Sequence, residues 1–292
     1  MLPHHDKMKI FRALAFLVVL APGAAGATLP DGWLTSLDEA IHEAKTKDRL
    51  ILVDLFAEWC GWCKRLESEV YSTLEFQQFA QDLVLLQVDT EDGDEGTRLQ
   101  DRYGVISLPT TLILDKNLVK VGEIEGFAPA ISYIRKIEHR IASYRELEEG
   151  FERFSKSSDP AVLTTLASEF HQRGDGNRAS TIYRQFLSLD SITAEQEIWI
   201  RYQLSDALRL AQEFDHATTE LVTARKQARV SGNKELLERI DLLDADIALD
   251  RGDCRQAREA FQEFLGRHPV SDLRKYAKRA LASIDAEKAQ CT

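Results

Sequence analysis

Cysteine is scarce in this chain, with four residues in 292, too few to staple a domain together in place of a hydrophobic core. Positive charge is in deficit as well. Lys and Arg number 37 against 48 Asp and Glu, a net charge of −11. The long-range field therefore repels phosphate backbones and anionic lipid surfaces, which argues against nucleic acid as a partner. The uncharged apolar run at residues 13–21 rises only about 14 Å as a helix, well short of a hydrocarbon core of about 30 Å. With 15 Gly and 7 Pro, collagen-like and low-complexity classes are excluded. What is present is 44% apolar residues in a chain long enough for two domains, each with its own core.

The N-terminal residues read as an address. Lys7, Lys9 and Arg12 precede the apolar run, and Pro22-Gly23-Ala24-Ala25-Gly26-Ala27 follows it. Basic, apolar, small is the order of a secretory signal peptide, and Ala25 and Ala27 place cleavage after Ala27. Removing residues 1–27 takes away three basic residues and Asp6, leaving 34 basic and 47 acidic groups, net −13. The expected compartment is one in which disulfides persist, and no stable membrane span is expected to remain after cleavage.

Periodicity divides the remainder. Within residues 28–141 the pattern gives a helix over Leu37–Ala44 with Ser36 as its cap, an apolar strand Leu50–Phe56, and a helix opening at Cys60. A strand Leu83–Val88, a helix Glu95–Tyr103, strands Thr110–Leu114 and Val119–Ile124, and a helix from Pro129 follow. This succession predicts an α/β domain with a central mixed sheet flanked by helices. Residues 142–158 continue at helical spacing as a linker. Over residues 159–292 every segment reads helical, with breaks at Gly174-Asp175, Phe214-Asp215 and Gly252-Asp253, each followed by a small residue: Ala179, Ala217, Ala257. Their spacings, 38 and 40 residues, suit an all-α helical-repeat domain. Ser271–Ala289 would cap the stack.

Chemistry concentrates at Leu50-Ile51-Leu52-Val53-Asp54-Leu55-Phe56-Ala57-Glu58-Trp59-Cys60-Gly61-Trp62-Cys63-Lys64. An apolar strand running into Cys-x-x-Cys at a helix start is the setting of a redox pair. Zinc would need two further ligands at matching spacing; Cys254 and Cys291 are far apart in sequence, and His42, His139, His171, His216 and His268 show no ligand or triad spacing, so no metal is expected. A thiol in the first helical turn faces unpaired N–H groups and the positive end of the helix dipole, which favour thiolate. Cys60 is therefore the nucleophile, and Cys63, nearly one turn on, is the resolving thiol. Asp54 interrupts an apolar strand, which marks a buried acid. Trp59 and Trp62 are either packing groups or the rim of the site.

This segment resembles the thioredoxin superfamily, and more closely the C-terminal periplasmic domain of DsbD-type thiol:disulfide interchange proteins. The shared residues are Asp54-Leu55-Phe56-Ala57-Glu58-Trp59-Cys60, Cys63-Lys64-Arg65-Leu66-Glu67, Leu85-Leu86-Gln87-Val88-Asp89, Gly104-Val105, Leu108-Pro109-Thr110 and Gly126-Phe127. The resemblance implies that Pro109 is the cis-proline beside the cysteines and, with Leu108, Trp59, Gly61 and Trp62, meets the incoming polypeptide. It implies that Asp54 is the acid beneath Cys63 and that Glu67 is a second acid, both raising thiol pKa values by like charge. Trp62 stands where common thioredoxins have Pro, and Leu85 where they have Lys. The segment Ala248 to Pro269 resembles the second half of a tetratricopeptide repeat.

The resemblance points to a periplasmic thiol:disulfide oxidoreductase that reduces protein disulfides, needs no cofactor, takes electrons from a separate membrane-bound protein, and binds a protein partner on its helical repeats. An oxidase or isomerase, or a non-catalytic assembly factor with a redox-sensitive module, are the alternatives. Cys254 and Cys291 either pair as a structural disulfide or stay as thiols.

Overall fold

The structure is a computed structural model describing residues 32–92 and 95–286. The expected signal peptide, residues 1–27, and Cys291 lie outside the described residues.

Five strands form one mixed sheet in the order β1-β3-β2-β4-β5: β1 (Trp33–Leu34), β2 (Leu50–Phe56), β3 (Leu83–Asp89), β4 (Thr110–Leu114) and β5 (Lys120–Glu125). β1, β3 and β2 run parallel, whereas β4 and β5 are antiparallel to their neighbours. Helices cover both faces, as parallel strands require. On one face α1 (Leu37–Lys47) and α4 (Glu95–Tyr103) enclose Ala40, Ile51, Val53, Leu86 and Leu112. On the other, α3 (Leu74–Phe79) and α5 (Ala130–Phe154) cover Leu52, Phe76, Ile113, Tyr133 and Ile137. Between the faces, α2 (Gly61–Leu66) follows the cysteine motif and passes into a π-helical turn, Glu67–Tyr71.

Three local features differ from the pattern-based expectation. β1 is only two residues long, too short to show alternation. Ser36 stands at the N-cap of α1 but makes no side-chain cap bond; the Leu37 N–H donates instead to Glu95 Oε2 at 2.8 Å, a partner 58 residues away. α3, capped by the Thr73 hydroxyl, has no counterpart in the expected elements.

Beyond the sheet the chain is helical throughout its described length: α6 (Pro160–Gln172), α7 (Gly176–Leu187), α8 (Ala194–Leu210), α9 (Phe214–Ser231), α10 (Lys234–Asp250), α11 (Cys254–Arg267) and α12 (Arg274–Asp285). Each packs on the next. Ala179, Ala217 and Ala257 are all fully buried, each four residues into its turn from the N-caps Asp175, Glu213 and Asp253. The second break therefore falls at Gln212-Glu213 and not at Phe214-Asp215. Gln212 takes the left-handed φ of 61° that glycine supplies at Gly174 and Gly252. The final helix ends at Asp285 within the longer stretch expected to cap the stack. No helix among the described residues is long and apolar enough to cross a membrane.

α5 serves both halves. Its 25 residues extend about 37 Å; Tyr133, Ile137 and Tyr144 pack on the sheet, while Leu147 and Phe151 pack against the helical core of Leu163, Phe170, Ile182 and Leu204. The array also meets the sheet edge. The Lys120 N–H donates to the Arg173 carbonyl at 2.8 Å, and Arg173 Nη1 donates to the carbonyls of Lys120 and Val121 at 3.1 and 2.8 Å. Lys120 is paired with Leu114, and Leu114 with Ile51, so the anchor lies at the N-terminal end of β2. The cysteine motif follows its C-terminal end.

Candidate active site

β2 is apolar because both of its faces are covered, and it delivers the chain to a tight turn in which the Cys60 N–H donates to the Ala57 carbonyl at 2.9 Å. Cys60 is the N-cap of α2, and its Sγ accepts the Cys63 N–H at 3.1 Å. That is the geometry by which a helix N-terminus stabilises sulfur charge. Cys60 and Cys63 are joined as a disulfide, with Cα atoms 5.3 Å apart. Both sulfurs are largely covered, packed with Ala57 and against Phe56 and Leu108.

Around the pair the surface is aromatic. Trp59 and Trp62 are 68% and 54% exposed. Trp59 Nε1 donates to Glu91 Oε1 at 2.8 Å, which fixes the indole beside the disulfide. Trp62 lies 5.8 Å from the Phe127 ring, and the Arg65 guanidinium sits over both rings at 4.8 and 4.6 Å. Glu69 holds that guanidinium with two bonds, at 2.7 and 3.0 Å. Gly61 has open space where a side chain would project. The Leu108–Pro109 peptide bond is cis, and the Pro109 carbonyl accepts the Gly126 N–H at 2.8 Å. The sequence-expected residues Trp59, Gly61, Trp62 and Leu108 thus gather with the cysteines on one surface, and Pro109 adjoins Leu108.

Asp54 lies inside the sheet, 1% exposed. Register explains its surroundings: Asp54 is opposite Gln87 on β3 and opposite Thr111 on β4, so the three polar side chains stand in one row on one face. Gln87 Nε2 donates to Asp54 Oδ2 at 2.9 Å, and the Tyr71 hydroxyl donates to Oδ1 at 2.9 Å. Burial drives the Asp54 pKa up to about 6; the Gln87 and Tyr71 bonds pull it down, and the nearby Glu67 charge raises it. Glu67 is itself raised by partial burial. The two acids expected from sequence are therefore electrostatically coupled.

Sequence reasoning did not single out Tyr71, Thr111 or Tyr133 as functional. The Tyr71 hydroxyl lies 3.0 Å from Thr111 Oγ1, and Thr111 Oγ1 forms a short hydrogen bond with the Tyr133 hydroxyl. Tyr71 reaches this position because it ends the π-helical turn, whose wider winding re-aims the last side chain inward. A sequence signal for part of the row exists. Asp54 and Gln87 are each a polar residue within an apolar run, whereas Thr111 follows a second threonine at the start of β4 and does not stand out.

Cys254 opens α11 and is not a free thiol; its proposed partner, Cys291, is outside the described residues.

Part of the chain is similar to known proteins. Residues 32–116 match a thioredoxin-like family model. The thiol:disulfide interchange protein DsbD of Haemophilus influenzae is 35% identical over 98 residues, covering 32% of this chain and 17% of the relative. DsbD of Cronobacter sakazakii is 33% identical over 108 residues, covering 36% and 18%. The chain thus spans less than a fifth of the length of these relatives. Among solved structures, a DsbH oxidoreductase is 18% identical, with a TM-score of 0.34, over 42% of this chain and 95% of that one. The oxidised C-terminal domain of Neisseria meningitidis DsbD is 20% identical, with a TM-score of 0.32, over 35% and 90%. The first half of the chain has a thioredoxin-like fold, and an all-helical region follows it.

Proposed function

We propose that this thioredoxin-like domain exchanges disulfides with protein clients in the periplasm, in the reducing direction. The observation that carries the reading is the Cys60–Cys63 pair at the helix start, next in the chain to the strand that buries Asp54. Cys60 thiolate attacks a client disulfide, forming the mixed disulfide and releasing one client thiolate. Cys63 then loses its proton to the Asp54 carboxylate and attacks Cys60 Sγ; the second client sulfur leaves as thiolate, and two electrons have passed from the dithiol to the client. Supporting the reducing direction, the resemblance to DsbD-type domains implies that Asp54 and Glu67 stand near the thiols and disfavour negative charge on them. A thiolate denied stabilisation makes the reduced pair less stable and the domain a better reductant.

Trp59, Trp62 and Leu108 serve as the client-contacting rim, with cis-Pro109 adjoining it. Electrons reach the pair from a separate membrane-bound donor protein, no cofactor intervenes, and the tetratricopeptide-like array holds a protein partner. Residues 1–27 direct export, residues 28–141 form the redox domain, residues 142–158 join it to the array at 159–292, and Cys254 pairs with Cys291.

The test is to express Cys63→Ala in the native compartment, where Cys60 attacks but the mixed disulfide cannot resolve. Covalently trapped clients, lost on adding Cys60→Ser, are expected. Recovery of none, while a control thioredoxin variant traps its own in the same cells, overturns the reading.

A further inference from the structure

We propose that the hydroxyls of Tyr133, Thr111 and Tyr71 form a one-way hydrogen-bond chain that ends on Asp54 and holds it as a carboxylate ready to accept the Cys63 proton. The proposal deepens the exchange reading and names three positioning residues for the same site.

Direction follows from counting hydrogens, since each hydroxyl has one to give. Tyr71 gives its hydrogen to Asp54 Oδ1, so in its contact with Thr111 it accepts. Thr111 has then spent its hydrogen and accepts from Tyr133. Every member points toward the acid. Protonating Asp54 on Oδ1 along this line reverses the chain and leaves the Tyr133 hydrogen without the acceptor it has now, in a fully buried position. Protonating Oδ2 instead opposes the Gln87 N–H. An unpartnered buried polar hydrogen is costly, so the network favours the ionised acid. Chains of this kind strengthen each link by polarisation, so Tyr133 acts on Asp54 across two intervening hydroxyls.

The network opposes two influences that neutralise the acid. One is removal from water. The other is Glu67, the charged group that faces Asp54 from the turn after the cysteines; Tyr71 and Tyr133, from the π-helical turn and α5, are uncharged, their own pKa values raised by burial. Without the hydroxyl chain the acid holds its proton more tightly and is a poorer acceptor for the Cys63 proton. With it, the acid is poised close to the working pH, where a general base is most effective.

The experiment uses the full chain and the variants Tyr71→Phe, Thr111→Val and Tyr133→Phe, with Asp54→Asn identifying the signal. The ionisation of Asp54 is read directly in the oxidised protein by carboxyl infrared difference spectra with labelled aspartate. The pH profile of client reduction is read separately. Loss of the Tyr71 bond should raise the Asp54 proton affinity about tenfold or more, moving the midpoint up by a pH unit. Tyr133→Phe, which leaves every group touching Asp54 in place, should raise it about two- to fourfold. Thr111→Val guards against misfolding of the tyrosine variants, because its shape is nearly unchanged. An unmoved infrared midpoint in folded Tyr133→Phe and Thr111→Val overturns the chain. A shifted infrared midpoint in a protein that reduces no client upholds the chain and overturns the exchange reading.

Discussion

Lys120 and Arg173 bond to each other in both directions: the Lys120 N–H reaches the Arg173 carbonyl at 2.8 Å, and the Arg173 guanidinium returns to the Lys120 carbonyl at 3.1 Å. β5 is the outer strand of the sheet, with backbone groups that no further strand pairs. Such an edge invites unwanted strand addition. A residue from the loop after α6 closes it at the same point where the helical array is held.

Arg173→Ala removes the guanidinium bonds to Lys120 and Val121 and its place over the Tyr144 ring. Charge-assisted bonds of this type contribute about 1.5–3 kcal/mol each when buried; with part of the side chain wet, a total loss of about 2 kcal/mol is expected on denaturation. Hydrogen exchange at the Lys120 amide should accelerate by about tenfold or more. Unchanged protection there would show that the edge is held by other means.

Asp54→Asn tests the cost of the buried acid. Burial lifts its folded pKa to about 6, above the ordinary aspartate value, so the native protein binds this proton more tightly than the unfolded chain does. Stability from this group is full at low pH, falls as pH rises from about 4 to 6, and stays low above that. The stability difference between variant and parent should therefore move in the variant's favour by on the order of 2–3 kcal/mol between pH 4 and pH 7. Denaturant titrations at the two pH values measure this. Client reduction should fall in the same variant.

Trp62→Ser removes the ring that Arg65 and Phe127 stack upon. Burying an aromatic side chain against a partner contributes about 1–2 kcal/mol. The KM for a protein client should rise about five- to tenfold, while reduction of a small soluble disulfide keeps its rate. Equal loss on both substrates would place Trp62 in the chemistry and not in client contact.

Ser36→Ala should leave stability within about 0.5 kcal/mol, because its hydroxyl caps nothing. Glu95→Ala should cost about 1–2 kcal/mol, because it leaves the Leu37 N–H without the carboxylate it donates to. Thermal melts of the two variants separate these outcomes.

Gly176→Ala would place a Cβ 2.2 Å from the Ala207 carbonyl oxygen. The neighbour is backbone, so α7 and α8 must separate, at about 2–3 kcal/mol or more. Denaturation should show the loss in the helical half, with the redox chemistry of Cys60 retained.

The sequence was informative where a single local pattern sufficed. Cys60 and Cys63 share one turn, and Asp54 stands six residues earlier in an otherwise apolar strand, so spacing and hydropathy located all three. Legibility ended where a property was shared by distant residues. Ser36 has the right residue type for a cap, yet its place is taken by Glu95 through a contact that tertiary folding creates. Tyr71, Thr111 and Tyr133 come from a π-helical turn, a strand and a helix, and no local periodicity ties their hydroxyls together. The break before α9 was misplaced because Gln212 adopts a backbone conformation that sequence signals assign to glycine.

The placement of the helical anchor at the pole of β2 remote from the cysteines sets a condition on reach. Because α5 is one unbroken helix through both halves, no swivel brings the array round to the disulfide. On the proposed reading, a polypeptide held by the array supplies the slack itself, at least about seven extended residues, about 23 Å, to match the length of β2. On that reading, selection depends on how much loose chain flanks the client's disulfide, and a client whose cysteines sit in a tight, fully folded core is expected to fall short of the pair until it unravels.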